Sequence, residues 1–408
     1  MKEQRPSAAD RTLRCMGSVA LIDSLNLPPT TSDYAVEGTA AHSLGEMCLR
    51  DGSEPMDHIT TFIPVEYDDV EEDGTVVTRT QNVLVTSDMC EPVEKYLEVV
   101  RREAHGNVLL IEKKVNCTPV LGVQPETGKD RTGTADTIIV PRSSKKPLQI
   151  HDYKHGIGHE VHAFKNFQMS VYGGSFLLSN LEKLPHERVQ LWIHQPRIKF
   201  EPDMWEVSRE ELLDWCRKAK KRALIADTCE VGERLVPGEK QCLWCDAGRA
   251  GKCPAIDEEV AAAFDNIDTT ANAVVPTKDT RELAKRLSKL SFLEMYIKAT
   301  RAEGYQMMNT GQNVPGYKLV AGKRGARAWT DEEAATKRVQ RMRIKREEMF
   351  SMKLKTPTQL EKVISEKRYE ILKEEGLIDQ PPGKPSMVSA DDPREGITHE
   401  NQFENLED

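Results

Sequence analysis

Asp136, Asp152 and Lys154 are the residues whose types and spacing could do chemistry together. Asp136 closes the run Gly133-Thr134-Ala135-Asp136, Asp152 follows 16 positions later, and Lys154 comes 2 after that. Alternation along a strand puts Asp152 and Lys154 on one face, with Tyr153 on the other. If the strand carrying Asp136 pairs with the one carrying Asp152 through a hairpin, two carboxylates and an ammonium converge. Hard divalent cations such as Mg²⁺ take oxygen ligands and keep several waters, so two aspartates and a backbone carbonyl can hold one against a phosphate. Such an ion lowers the pKa of a bound water and offsets charge on phosphoryl oxygens. Lys154 could orient that water or stabilise the same charge. As bare spacing an acid-x-lysine triplet is common, and an exposed ion pair of that kind contributes only about 0 to 1 kcal/mol. Its context sets it apart: a preceding Gly-x-x-Asp, and a following helix on which Gln168 and Tyr172 stand 4 apart. The chemistry indicated is metal-dependent phosphodiester hydrolysis.

These residues need a sheet with helices around it. Strand patterns run over Val108 to Val115, Thr132 to Val140, Pro147 to Tyr153 and Val189 to His194. The second and third are joined by Pro141-Arg142-Ser143-Ser144-Lys145-Lys146, which suits a hairpin. Helical periodicity covers about Val36 to Leu49, residues 88 to 104, Val161 to Leu181 and residues 208 to 228. Ser7-Ala8-Ala9-Asp10-Arg11 reads as a capped helix start. Residues 52 to 87 read as a surface hairpin whose acidic tip, Asp68 to Gly74, is solvated and lacks calcium-loop spacing. This order predicts an α/β sheet with mixed pairing. In the helix from Val36, His42 and Glu46 leave the same face. Taken alone, that pair is a half-buried histidine beside a solvated glutamate.

The chain has 408 residues, enough for two or three domains, with 30% charged and 38% apolar content. No run of eighteen apolar residues could span a bilayer, and Met1 to Pro6 lacks the apolar core of a secretory signal, which argues against export. Net charge is -9. That argues against a general polycation but not against DNA, because the local field at the phosphates is what matters. The densest positive stretch runs from Lys323-Arg324-Gly325-Ala326-Arg327-Ala328-Trp329 to Lys337-Arg338, Arg341, Arg343, Lys345 and Arg346. Interleaved Gly, Arg and Trp could follow a phosphate backbone and stack on an unpaired base. Nearby glutamates soften the stretch, and a plain exposed helix face is the competing explanation.

Nine cysteines in a chain of this type argue for ligation by a subset over a disulfide framework. Cys242-Leu243-Trp244-Cys245 followed by Cys253 has ligand-like spacing but no fourth member close by. Either Cys229 completes a local zinc site or Cys15 returns from the far end of the chain. Cys48, Cys90, Cys117, Cys216 and Cys229 otherwise read as packing residues.

Taken together, Asp136, Asp152, Lys154 and the Gln168-x-x-x-Tyr172 pair resemble the PD-(D/E)XK nuclease superfamily, in its RecB-type branch that includes the RecB and AddB nuclease domains and the CRISPR adaptation nucleases. The resemblance covers about residues 7 to 255. It implies a restriction-endonuclease-like α/β core, a mixed central sheet flanked by helices, and a metal held by His42, Glu112, Asp136 and Asp152. Glu112 enters as the acid on the first strand, and His42 as the first-helix histidine. Asp136, Asp152, Lys154, Gln168 and Tyr172 would serve catalysis, with Mg²⁺ or Mn²⁺ as the ion. The branch also implies an iron-sulfur staple, a 4Fe-4S cluster, on Cys15, Cys242, Cys245 and Cys253, although Zn²⁺ would satisfy the same thiolates. More narrowly, Ser7 to Arg11, Cys15-Met16-Gly17-Ser18, Tyr34 to His42 and Pro382-Gly383-Lys384-Pro385-Ser386 resemble a phage and prophage family of RecB-like proteins. The expectation is therefore a metal-dependent deoxyribonuclease, an exonuclease in phage DNA recombination or processing, acting on DNA in the bacterial host cytoplasm with a phage single-strand annealing or binding protein as partner. The rival expectation is a catalytically inactive nuclease-fold protein that binds or scaffolds DNA. Three segments follow: a nuclease domain with its cysteine cluster over 1–255, a helical and partly basic region over 256–376, and a flexible acidic, proline-containing tail over 377–408.

Overall fold

A computed structural model describes residues 4–28, 31–71, 75–199, 201–265, 280–322, 328–349, 357, 360, 364–379 and 383–389. It divides into two compact units, Met1–Leu293 and Glu294–Asp408.

The first unit opens with a 3-10 turn, Pro6–Ala8, that runs into α1 (Ala9–Arg14) and α2 (Ser18–Leu25). Ser7 lies inside that turn and caps nothing, because Pro6 already occupies the first position. Helix α3 (Asp33–Asp51) starts on Ser32, whose side chain accepts a hydrogen bond from the Ala35 N–H. A hairpin of β1 (Phe62–Val70) and β2 (Val76–Leu84) follows, then α4 (Ser87–Ala104). Next come β3 (Val108–Asn116), α5 (Thr118–Leu121), β4 (Thr132–Val140), β5 (Leu148–Tyr153), α6 (Phe167–Leu178), β6 (Arg188–His194), β7 (Asp203–Ser208) and α7 (Arg209–Thr228). Two short helices, α8 (Glu239–Cys242) and α9 (Asp246–Arg249), precede α10 (Pro254–Asp265). The division between units falls within α11 (Thr280–Asn309).

The five-stranded sheet has the order β3-β4-β5-β6-β7 and is antiparallel except for the parallel pair β5 and β6. Both of its faces are covered. On one, Ile138, Ile150 and Leu191 pack with Leu13, Met169, Leu177 and Leu212 from the helices. On the other, Ile139 and Tyr153 pack with Leu44, Val93 and Leu97 from α3 and α4. Every residue of β5 is buried, as a strand covered on both faces should be.

Two boundaries differ from the periodicity. The helix expected from Val161 begins only at Phe167, where Asn166 accepts a hydrogen bond from the Met169 N–H at 3.1 Å. Upstream, the Val161 N–H goes to Gln195 Oε1 and the Ala163 N–H to Asp203 Oδ2, each at 2.9 Å, so the backbone is held in a loop. The tail expected to be flexible from 377 instead supplies two strands.

Those strands belong to the second unit. β8 (Tyr317–Gly322), β9 (Ala328–Trp329), α12 (Glu332–Arg341) and α13 (Arg346–Met349) are followed by a helix over Glu366–Glu374, then β10 (Ile378–Asp379) and β11 (Gly383–Ser389). β10 pairs with β9 and β11 with β8, both antiparallel, so the segment gains backbone partners that its composition does not advertise. Val339, Leu360, Tyr369 and Leu372 form a separate core, and Trp329 packs against it. Lys323 to Arg327, the start of the basic stretch, lie outside the described residues, as do 390–408. Arg338 is paired with Glu375, Nε to Oε1, at 2.5 Å.

Candidate functional site

Asp136 sits where three elements meet. The β4–β5 ladder runs from Ile139↔Gln149 to Thr137↔His151, and one step further would set Asp136 against Asp152. There the ladder opens, and the Tyr153 N–H donates instead to Asp136 Oδ2 at 2.7 Å. On the other side of β4, Ile111↔Thr137 and Lys113↔Ala135 set Glu112 directly opposite Asp136. Glu112 takes a left-handed backbone, φ 46°, which a non-glycine residue rarely adopts within a strand. From α3, His42 Nδ1 reaches to 3.4 Å from Asp136 Oδ2. Ligand atoms of His42, Glu112 and Asp136 all lie within 4.8 Å of one another. They border a recess that is also lined by Gly45, Glu46, Tyr96 and Tyr153.

Asp152 and Lys154 stand beside this trio. Lys154 Nζ is 2.7 Å from Asp152 Oδ2 and 3.4 Å from Gln168 Oε1. Gln168 Nε2 donates to Asp152 Oδ1 at 3.0 Å. Asp152 Oδ2 takes no hydrogen bond of good geometry among the described residues, although it is buried. Tyr172, one turn on from Gln168, rests over Gly133. A Cβ there would come within 2.7 Å of Pro6 Cγ and 2.9 Å of Tyr172 Cε1, so the glycine of Gly133-Thr134-Ala135-Asp136 lets α6 lie against β4.

The electrostatics follow from crowding three carboxylates around few cations. Burial pushes the Glu112 carboxyl up, and the Asp136 charge adds to it, bringing the pKa to about 7. Burial likewise raises Asp152, and Lys154 only partly offsets it. For Asp136, burial works against ionisation, but His42, Lys154 and the Tyr153 N–H outweigh it and keep the carboxylate charged. Burial disfavours the charged forms of His42 and Lys154 as well. The neighbouring aspartates overcome it, so both hold their protons above the ordinary range.

Some neighbours carry no signal in the sequence. Tyr96, one of the apolar positions of α4, lies under the site with its hydroxyl 3.1 Å from Thr137 Oγ1. The Tyr153 hydroxyl meets His155 Nδ1 at 2.8 Å, and His155 Nε2 meets Glu37 Oε1 at 3.3 Å. Behind the sheet, His151 and His194 are 2.9 Å apart, and burial drives the His194 pKa down to about 3, so the pair is neutral. Only the position of His155, directly after Lys154, could have drawn attention.

The cysteines form a second constellation. All nine are free of disulfides. Cys15 comes back to the trio because Gly17 presses on the segment before α8. Its N–H donates to the Arg234 carbonyl at 3.2 Å, and a Cβ would collide with the Glu233 backbone. The Val236 N–H then points at Cys15 Sγ at 3.3 Å, and the Gly238 N–H at Cys242 Sγ at 3.4 Å. Burial pushes the Cys242 thiol up to about 11, with the nearby Cys245, Cys15 and Cys253 thiols adding to it. Cys229 is buried in a small apolar cluster with Met16, Val19 and Ala226.

Among the described residues, no helix is long and apolar enough to cross a membrane. Residues 5–395 match a family described as protein of unknown function (DUF2800).

Proposed function

Proceeding from the fact that the chain belongs to the DUF2800 family, we propose that it is a divalent-metal-dependent deoxyribonuclease, an exonuclease acting in phage DNA recombination or processing. The observation that carries this reading is the mutual approach of His42, Glu112 and Asp136 ligand atoms, within 4.8 Å, beside the Asp152–Lys154 pair. We read the mixed sheet beneath them as a core of restriction-endonuclease type.

The donor set fits a hard divalent cation. Two carboxylates and one imidazole converge, and a third carboxylate leaves Oδ2 without a good hydrogen bond. His42, Glu112, Asp136 and Asp152 would hold Mg²⁺ or Mn²⁺. When bound, the ion supplies a hydroxide-like water at neutral pH and offsets charge on the phosphoryl oxygens. Lys154 keeps its proton beside Asp152 and can orient the attacking water or donate to a phosphoryl oxygen. Gln168 fixes Asp152 through Oδ1, which limits that carboxylate to one useful direction. Tyr172 packs behind Gln168 and sets the spacing between α6 and β4.

The four cysteines fit a 4Fe-4S cluster. Two backbone N–H groups already point at Cys15 and Cys242 sulfurs, as around ligating thiolates. The cluster's role in this reading is to staple the two ends of the domain, with no part in hydrolysis.

Incubation of the purified protein with end-labelled linear DNA tests the activity. Cleavage is expected with Mg²⁺ or Mn²⁺ and not with EDTA. Asp152→Ala and Lys154→Ala should each abolish it in protein that still folds, and undiminished cleavage by either variant would sink the assignment. Iron and zinc analysis, with the visible spectrum, tests the cysteine site.

A further inference from the structure

β5 and β6 run parallel and in register, Tyr153 opposite His194, so the segments after them leave the sheet side by side at its carboxyl edge. In open α/β sheets that edge is where ligands bind. Lys154 is the first residue of one segment and Gln195 the first of the other.

Gln195 is buried and makes three hydrogen bonds to the loop beyond Lys154. Its Oε1 accepts from the Val161 N–H at 2.9 Å, and its Nε2 donates to the Gly156 and His159 carbonyls, both at 2.8 Å. The carbonyls of the loop are thereby drawn inward. Its N–H groups are left over: among the described residues, none from Gly156 to Glu160 donates a hydrogen bond. A Cβ at Gly156 or Gly158 would meet nothing within 4 Å, so the main chain can be approached closely there.

Arg197 lies next to this loop and is loosely held. Its Nη1 is 3.4 Å from Glu37 Oε1 and 3.5 Å from the His155 carbonyl, both long for charge-assisted bonds. The same fold shows a committed pair for comparison: Arg131 grips Asp227 at 2.7 and 3.0 Å, deep in the protein. A partly exposed arginine side chain beside a row of unused backbone amides matches the chemistry of a phosphate group. Gly156 is two residues from Lys154, at most about 7 Å along the chain, which is the reach from one phosphate of a strand to its neighbour.

We propose that Arg197 and the amides of Gly156–Glu160 bind the substrate phosphate adjacent to the one cleaved, with Gln195 as the positioning residue that presets the loop. This rests on the nuclease reading for the substrate class. Glu37 competes with the phosphate for Arg197. Two further acids belong to or contact this stretch of chain, Asp203, which accepts from the Ala163 N–H, and Glu160, each within 4 Å of His162 Nδ1.

The test uses the full chain, a fluorescein-labelled single-stranded oligonucleotide and anisotropy in EDTA, so that binding is read without cleavage. Arg197→Ala should weaken binding about tenfold, and the slope of log K against log salt should fall by about 1. In Mg²⁺ it should raise KM similarly with kcat within about twofold, and Arg197→Lys should recover part of the loss. Glu37→Gln should tighten binding, and that gain should vanish in the Arg197→Ala background, which a merely structural Arg197 would not produce. Wild-type affinity and salt slope in a folded Arg197→Ala protein would overturn the subsite, as would a wild type that binds no DNA. Cleavage with an unchanged KM in Arg197→Ala removes the subsite and leaves the nuclease. Weakened binding by Arg197→Ala, in a protein that cleaves nothing, removes the nuclease and leaves the subsite.

Discussion

Glu112 is held in a left-handed conformation directly opposite another carboxylate, an arrangement that costs of order 1–3 kcal/mol in the backbone alone. A cation between Glu112 and Asp136 is the natural compensation, and pH should reveal it. The folded pKa of Glu112, about 7, lies above its ordinary 4.5, so the folded state holds this proton more tightly than the unfolded chain does. Its contribution to stability is then complete below about pH 4.5 and is lost as the pH rises through about 7. The melting temperature in EDTA should therefore carry a component that falls across this window, and Glu112→Gln should flatten it. Mg²⁺ or Mn²⁺ replaces the proton, so the stabilisation it confers should grow with pH over the same range. Thermal melts from pH 5 to 8, with and without the ion, check both signs. A metal effect independent of pH would mean that Glu112 is not a ligand.

The elements that carry these residues are legible in the sequence to different degrees, for physical reasons. Short apolar and β-branched runs joined by a proline- and serine-containing turn reveal β4 and β5, and helical spacing reveals α3 and α4, because each of those helices buries one face. β7 escapes notice because, as an edge strand, it alternates weakly, with Met204 and Glu206 exposed and Trp205 only half-buried. The start of α6 is misread because the hydrogen bonds that hold 161–166 in a loop come from Gln195 and Asp203, which no local pattern announces. Pairing register is equally invisible, so Glu112 enters through resemblance alone, whereas its place opposite Asp136 is a fact of the fold. Two glycines show how elements then lock. Gly133→Ala would drive a methyl into Pro6 and Tyr172, costing about 1–3 kcal/mol by overpacking. It should also lower kcat, because Tyr172 and Gln168 move together on α6; a melt shift with normal kcat would separate the two. Gly17→Ala would push the chain off Glu233 and carry Cys15 away from Val236. Purified Gly17→Ala protein should lose iron while keeping Mg²⁺ or Mn²⁺ binding at His42, and an unchanged iron content would disconnect Cys15 from the site.

At the scale of the molecule, the first unit is closed by a buried tie between its beginning, its sheet and α7. Arg131, at the start of β4, grips Asp227 on α7, and Gln4 donates to the same carboxylate at 2.7 Å. Removing one partner strands the other charge in the interior, so Arg131→Ala or Asp227→Ala should cost about 3–5 kcal/mol, read as a lower denaturant midpoint. That loss should be confined to one part of the chain. The candidate ligands, Lys154, Gln168, Tyr172 and Cys15, Cys242, Cys245 and Cys253 belong to Met1–Leu293, and Glu294–Asp408 has a core of its own around Val339, Tyr369 and Leu372. Two cores with no shared member predict two calorimetric transitions in place of one. A ligand that binds only the folded first unit raises only that unit's transition, by an amount that grows with its concentration. Mn²⁺ should therefore move one of the two transitions and leave the other fixed, and Asp227→Ala should lower the same one that Mn²⁺ raises. A single transition that shifts as a whole would show that the two units fold only together. In that case a chain ending at Leu293, otherwise expected to cleave with an unchanged kcat, would lose its activity.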